Sequence, residues 1–235
     1  MRDIVDLTVT QVRIYQTDVL PFSEIRLTTN VKTIKEAFQF ENVQSDLLGV
    51  QLTFTNGVFE NHSKPVHILT LSFDQRRSQL QVRGTSSQAD AFYAAVTKLL
   101  ESLLKRTRVT LGEPLLKAED TACVAALDID FEDLIAPPLL RFVLGEVKTK
   151  LKTPYGTPKS ITFKNLSFEI RYTPNPSLEE HEVNLNNKLL TIEPRLGTPL
   201  RERRFYTSSP TDSDTHLTIL RSLEKETAKP KQKGK

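Results

Sequence analysis

The 235 residues carry 32 Lys or Arg against 29 Asp or Glu, a formal net charge of +3, and 38% are hydrophobic. That length suits one large domain or two small ones, and the apolar share builds a core only if part of the chain stays outside it. The basic excess is local: residues 195–235 hold ten of the basic and five of the acidic side chains, leaving 22 and 24 in residues 1–194, so the body gives no electrostatic case for nucleic acid.

The single cysteine, Cys123, excludes an internal disulfide and a Cys-based zinc site. It lies in the apolar run Thr121-Ala122-Cys123-Val124-Ala125-Ala126 and reads as a buried small hydrophobe. No apolar run approaches the length of a membrane span, and the first residues carry no signal-peptide h-region. A cytoplasmic protein without membrane contact is expected.

In chain order, Ile4, Val5, Leu7, Val9, Val12 and Ile14 predict a long first strand, bulged where the alternation shifts phase near Gln11. Pro21 ends it. Ile25-Arg26-Leu27-Thr28 fits a short strand, and Lys32 to Phe40 fits either a helix or an edge strand. Val50 to Thr55 reads as a strand, followed by Asn56-Gly57, the strongest hairpin signal in the chain.

Val66 to Phe73 is rich in β-branched and aromatic residues, Asp74 to Ser78 is a polar turn, and Gln79 to Arg83 alternates as a half-buried strand. Ser87 is the expected N-cap of a helix, with Asp90 at the capping-box position. Phe92, Ala95, Val96, Leu99, Leu100, Leu103 and Leu104 follow at helical spacing. Further strands are expected at Arg108–Leu111, Ala122–Phe131, Ile161–Phe163, Leu166–Tyr172 and Leu189–Ile192. A second helix is expected within Leu134–Leu151, with Pro137-Pro138 in its first turn.

The fold class is therefore α+β: an antiparallel or mixed sheet with two main helices packed on one face. Residues 1–194 form a single domain, compatible with two similar sub-units at about 1–106 and 107–194, although no residue-level repeat is visible. Residues 195–235 are expected to be a linker and disordered basic tail, dispensable for folding, with a short helix at 214–226.

Two constellations carry candidate chemistry. If Ala122–Phe131 is a strand, Asp128, Asp130 and Glu132 share one face, and three carboxylates so spaced can hold Mg²⁺. An apolar strand ending in Asp-x-Asp also resembles the first motif of haloacid dehalogenase-type phosphatases, which implies phosphoryl transfer; the later Gly-Asp-x-x-x-Asp of that family has no counterpart downstream of Asp128. The commoner outcome of this pattern is a solvated acidic strand face.

The other constellation is Arg201, Arg203, Arg204, Phe205 and Tyr206, where arginines beside aromatics suit a protein partner or a single-stranded nucleic acid. The basic clusters at Lys105–Arg108 and Lys148–Lys152 are explained by the C-terminal ends of the two helices. His62, His67, His181 and His216 have no metal-ligand spacing and read as surface histidines. The eight glycines form no nucleotide-binding loop.

The succession Leu80–Thr85, Phe92–Leu104 and Asp133–Leu140 is similar to that of a sporadically distributed bacterial family of unknown function. The resemblance implies an α+β fold and no known activity. The sequence therefore points to a non-enzymatic binding or assembly protein, without cofactor, that contacts a protein partner through its basic tail. The alternatives are a Mg²⁺-dependent phosphoryl-transfer enzyme or nuclease using Asp128, Asp130 and Glu132, and an RNA- or DNA-binding protein.

Overall fold

A computed structural model describes residues 3–16, 19–61, 64–105, 111–135, 165–170 and 188–227. Strand β1 (Asp3–Ile14) is followed by helices α1 (Phe22–Ile25) and α2 (Thr28–Ala37), strands β2 (Asn42–Ser45), β3 (Gln51–Asn61), β4 (Lys64–Asp74) and β5 (Arg77–Arg83), and the long helix α3 (Ser86–Leu104). Then come β6 (Leu116–Ala126), β7 (Leu166–Ile170), β8 (Lys188–Pro194), β9 (Arg204–Ser209) and helix α4 (Ser213–Thr227). The nine strands form one sheet in the order β2-β3-β4-β5-β1-β6-β9-β8-β7. Every paired neighbour is antiparallel.

That order contains a repeat. In each half a central strand (β1 or β6) pairs with the last strand of a three-strand meander (β3-β4-β5 or β7-β8-β9), and a helix (α3 or α4) follows the meander. The halves meet where β1 pairs antiparallel with β6, so a pseudo-two-fold axis passes through that pair. Val9 faces Thr121 there; Val9 also faces Val82 on β5, and Thr121 faces Ser209 on β9. Residues in one such row point to the same side of a sheet. All four are buried, under α3 on one side and α4 on the other. The two helices therefore share one face of the sheet.

The second half runs to Thr227, well past Pro194. This corrects the expected linker: Arg204–Ser209 is an interior strand between β6 and β8, while the short helix expected at 214–226 is present as Ser213–Thr227, with His216, Leu217 and Leu220 buried. The composition misleads because the inward positions of β9 include Thr207 and Ser209, whose hydroxyls are satisfied inside the protein. The expected strands at Arg108–Leu111 and Ile161–Phe163, the helix within Leu134–Leu151, and the tail beyond Thr227 lie wholly or largely outside the described residues.

Four local expectations also change. Gln11 does not mark a bulge; it is an inward, buried polar residue, and the register of β1 against β6 shifts between Ile4 and Asp6 instead. Ile25–Thr28 is not a strand, because Phe22–Ile25 and Thr28–Ala37 are helical. Asn56-Gly57 does not turn the chain. Asn56 takes a left-handed φ of 55° within β3, where its carbonyl accepts from Glu41 N (3.2 Å). A Cβ at Gly57 would stand 2.5 Å from Phe40 Cε1, so glycine here admits an aromatic ring.

Helix α3 begins two residues earlier than expected. Thr85 is the N-cap and forms a capping box with Gln88, whose Oε1 accepts from Thr85 N (2.8 Å). Asp90 is released from capping and instead accepts from Gln11 Nε2 across the interface (2.9 Å). The helix buries Ala89, Phe92, Tyr93, Val96, Leu100 and Leu104. Phe92 meets Phe38 and Phe59 edge-on, at centroid separations of 4.9 and 5.5 Å.

Because β9 and α4 complete the second core with Cys123, Ala125 and Ile192, a chain ending at Pro194 is expected to lose cooperative unfolding, where a dispensable tail would leave it intact. Thermal denaturation followed by circular dichroism checks this; an unchanged midpoint would contradict it.

Candidate functional site

The chain leaves the sheet at Ala126, not at Phe131, so the expected acidic strand is absent. Alternation nonetheless continues through the connection: Leu127, Ile129 and Phe131 are buried while Asp128, Asp130 and Glu132 are exposed. The inward residues join the core beneath α4, and a 3₁₀ turn at Phe131–Leu134 follows.

Opposite this connection runs the one between β8 and β9. Thr198 Oγ1 donates to Arg195 O (2.8 Å), Arg195 N donates to Arg204 O (2.8 Å), and Leu200–Glu202 forms a 3₁₀ turn. It ends at Arg203, whose φ of 52° is left-handed. That conformation aims the guanidinium back at the first connection. Arg203 Nε and Nη2 reach the two oxygens of Asp130 (3.0 and 3.1 Å), and Nη1 reaches Asp128 (2.8 Å). Asp130 first, and then Asp128, raises the Arg203 pKa above its ordinary value. Leu127 N donates to Arg203 O (3.0 Å), which closes the join on the backbone side.

Between the two connections lies a cavity of about 200 Å³. Phe131, Phe205, Pro194, Pro199 and Leu200 supply its apolar wall, and Asp130, Glu132, Arg201, Arg203 and Arg204 its charged one. The Phe131 and Phe205 ring centroids are 6.2 Å apart. Most of the residues singled out in the sequence thus meet in one place. Tyr206 does not: alternation along β9 turns it to the opposite face from Phe205, where it is exposed.

The charges within the site are unequally partnered. Arg203 is held by two carboxylates, and Arg204 stands 3.5 Å from Glu202. Arg201 makes no hydrogen bond or ion pair among the described residues. Those residues also contain no group of three His, Cys, Asp or Glu side chains placed to hold a metal ion. A guanidinium already engages both oxygens of Asp130 and one of Asp128, and its positive charge stands where a hard cation would bind.

Two polar clusters went unread in the sequence. At the pseudo-two-fold axis Ser213 N donates to Ser86 Oγ (2.7 Å) and Ser86 N donates to Ser213 Oγ (3.1 Å), so each helix caps the other. Ser86 Oγ donates to Glu119, whose other oxygen accepts from Gln11 Nε2 (3.0 Å). A carboxylate beside two helix N-termini is favourably placed.

The second cluster lies under α4. His216 is fully buried, not a surface histidine, with Nδ1 2.7 Å from Ser209 Oγ and Nε2 2.9 Å from Thr207 Oγ1. Cys123 Sγ stands 3.5 Å from Nε2. Burial raises the thiol pKa and lowers that of His216 to about 4, so both groups are neutral near pH 7. A neutral thiol and imidazole in a closed interior serve structure and not nucleophilic attack. The one signal in the sequence was a histidine in phase with Leu217 and Leu220 on a short helix.

No protein-family model matches the chain, and no curated protein matches it significantly.

The unfolded chain titrates His216 near the ordinary 6.5, and the folded chain near 4. The unfolded state therefore holds more protons between these values, and stability falls as pH drops through that window, by an amount on the order of 3 kcal/mol. The gap in urea stability between wild type and His216→Gln is expected to narrow from pH 7 to pH 4.5; a gap independent of pH would contradict the burial of a neutral ring. Arg203→Ala is expected to lower the thermal midpoint and to reduce its salt sensitivity, measured in low and high NaCl, since it separates the two connections.

Proposed function

We propose that this protein is a non-enzymatic binding or assembly protein, and that its contact site is the cavity between the β6–β7 and β8–β9 connections. The observation that carries this reading is the composition of that cavity. It has a phenylalanine floor, a partly exposed Leu200, and an arginine, Arg201, with no partner among the described residues. An apolar recess beside an uncommitted cation suits a side chain from a protein segment that also carries a carboxylate. The contact residues proposed are Arg201, Arg204, Phe205 and Leu200, with Arg203 as the tie that shapes the recess. Tyr206 lies outside it. The buried, unpaired Cys123 suits a reducing compartment such as the cytoplasm.

The two other readings meet specific obstacles. A Mg²⁺ site on Asp128, Asp130 and Glu132 requires Arg203 to withdraw from both aspartates. A nucleic-acid site requires several uncommitted cations along a groove, whereas Arg203 and Arg204 are paired here with carboxylates.

The test replaces Leu200 and Arg201, both outside the core, with glutamate. Full-length protein and the Leu200→Glu/Arg201→Glu variant are used to capture protein and nucleic acid from source-cell lysate at two salt concentrations. Wild type is expected to hold a protein partner with shallow salt dependence, and the variant to lose it while its thermal midpoint is unchanged. Retention of every interaction by the variant would overturn the reading, and a steep salt dependence on RNA or DNA would assign the site to nucleic acid.

A further inference from the structure

The three most exposed large apolar side chains among the described residues, Leu47, Leu48 and Leu196, lie at two places on the surface. One is the turn between β2 and β3, where Leu47 is fully exposed and Leu48 is 83% exposed. This tip is rigidly built. Asp46 N donates to Gln51 O (3.1 Å), Gln51 N donates to Asp46 Oδ1 (2.8 Å), and Gly49 N donates to Asp46 O (3.0 Å). Gly49 takes a left-handed φ of 67°, and Arg26 Nη1 donates to its carbonyl from behind (3.1 Å). The backbone thus fixes two leucines pointing into water beside one carboxylate, with Asp46 Oδ2 uncommitted.

The other place is the β8–β9 connection, with Leu196 89% exposed and Leu200, which lines the cavity, 56% exposed. The needs of the two places are opposite in kind. The tip presents apolar knobs and an anion; the cavity presents an apolar recess whose wall carries the cation Arg201, with Glu132 on the β6 side. At about 200 Å³ the recess has room for a leucine side chain, since an apolar cavity of roughly 150 Å³ accepts a benzene ring.

We propose that the Asp46-Leu47-Leu48 tip of one copy docks into the β8–β9 cavity of a second copy, with a leucine over Phe131 and Phe205 and Asp46 toward Arg201. This rests on the cavity being the contact site, as argued above, and names its partner as the chain itself. The tip lies toward the β2 edge of the sheet and the cavity toward the β7 edge. Tip and cavity are different surfaces, so the contact is heterologous: each bound copy leaves one tip and one cavity open, and assembly proceeds head to tail.

Sedimentation velocity on the full chain tests this with two blocked variants, Leu47→Asp/Leu48→Asp at the tip and Leu200→Glu/Arg201→Glu at the cavity. Wild type is expected to gain mass as concentration rises. Each variant alone is expected to remain monomeric with an unchanged thermal midpoint. Their equimolar mixture is expected to form a dimer and nothing larger, because it contains one intact tip and one intact cavity.

A wild type that stays monomeric throughout its soluble range would overturn the proposal, as would a blocked variant that assembles normally or a mixture that does not dimerise. If wild type is monomeric but the cavity variant still loses a captured partner, the cavity remains the contact site and only the second copy is ruled out. Flotation of a monomeric wild type with anionic phospholipid vesicles, lost in the tip variant, would assign the tip to a bilayer and overturn self-docking.

Discussion

The antiparallel pairing of β1 with β6 is the constraint on which the rest of this structure depends. It runs from Asp3 to Ile14 and joins two meanders that would otherwise be separate sheets with exposed edges. At its centre the row Val82-Val9-Thr121-Ser209 places both meanders, and therefore both following helices, on one face. The mutual caps of Ser86 and Ser213 then lock the helix N-termini over the same axis, with Glu119 beneath them. Unsatisfied N–H groups at a buried helix start cost free energy unless partnered, and here each helix supplies part of the other's need.

The candidate site follows from the asymmetry of the two halves. In the first half a tight turn joins the last two meander strands, with Asp74 accepting from the N–H groups of Arg76 and Arg77 (2.9 and 2.7 Å). In the second half the corresponding connection runs from Arg195 to Arg203 and stands away from the sheet. The cavity is the space between this longer connection and the chain leaving β6. Arg203 sets its shape, because a left-handed residue is tolerated where two carboxylates hold its side chain. Function is thus proposed at the place where one copy of the repeat departs from the other.

Much of the first half was legible because its signals are local. Period-two alternation in Val66–Phe73 and Gln79–Arg83, and helical spacing from Phe92 to Leu104, reflect burial on one face of a strand or helix. The second half hid for a physical reason. Its inward positions include Thr121, Thr207, Ser209 and His216, which are buried through mutual hydrogen bonds and not through apolarity. A sequence rule that equates polar with exposed turns this strand into a linker and leaves the helix after it without a core to join. Asn56-Gly57 misled differently: Asn56 takes its left-handed φ within β3 and Gly57 admits the Phe40 ring, with no reversal of the chain. Of the site, residue types were legible at Asp128, Asp130, Arg203 and Phe205. Their meeting was not, because nothing local says that a basic segment at 201–205 closes onto an acidic one at 128–132.

The central claim is that the two halves form one cooperative unit across β1 and β6, with β9 and α4 inside it. Native-state hydrogen exchange tests this most directly. The account predicts that amides of β1, β6 and β9 exchange only through global unfolding, with a common free energy and a common dependence on denaturant. Exchange of β9 and α4 amides through a separate, low-energy opening, while β1 and β5 stay protected, would contradict it.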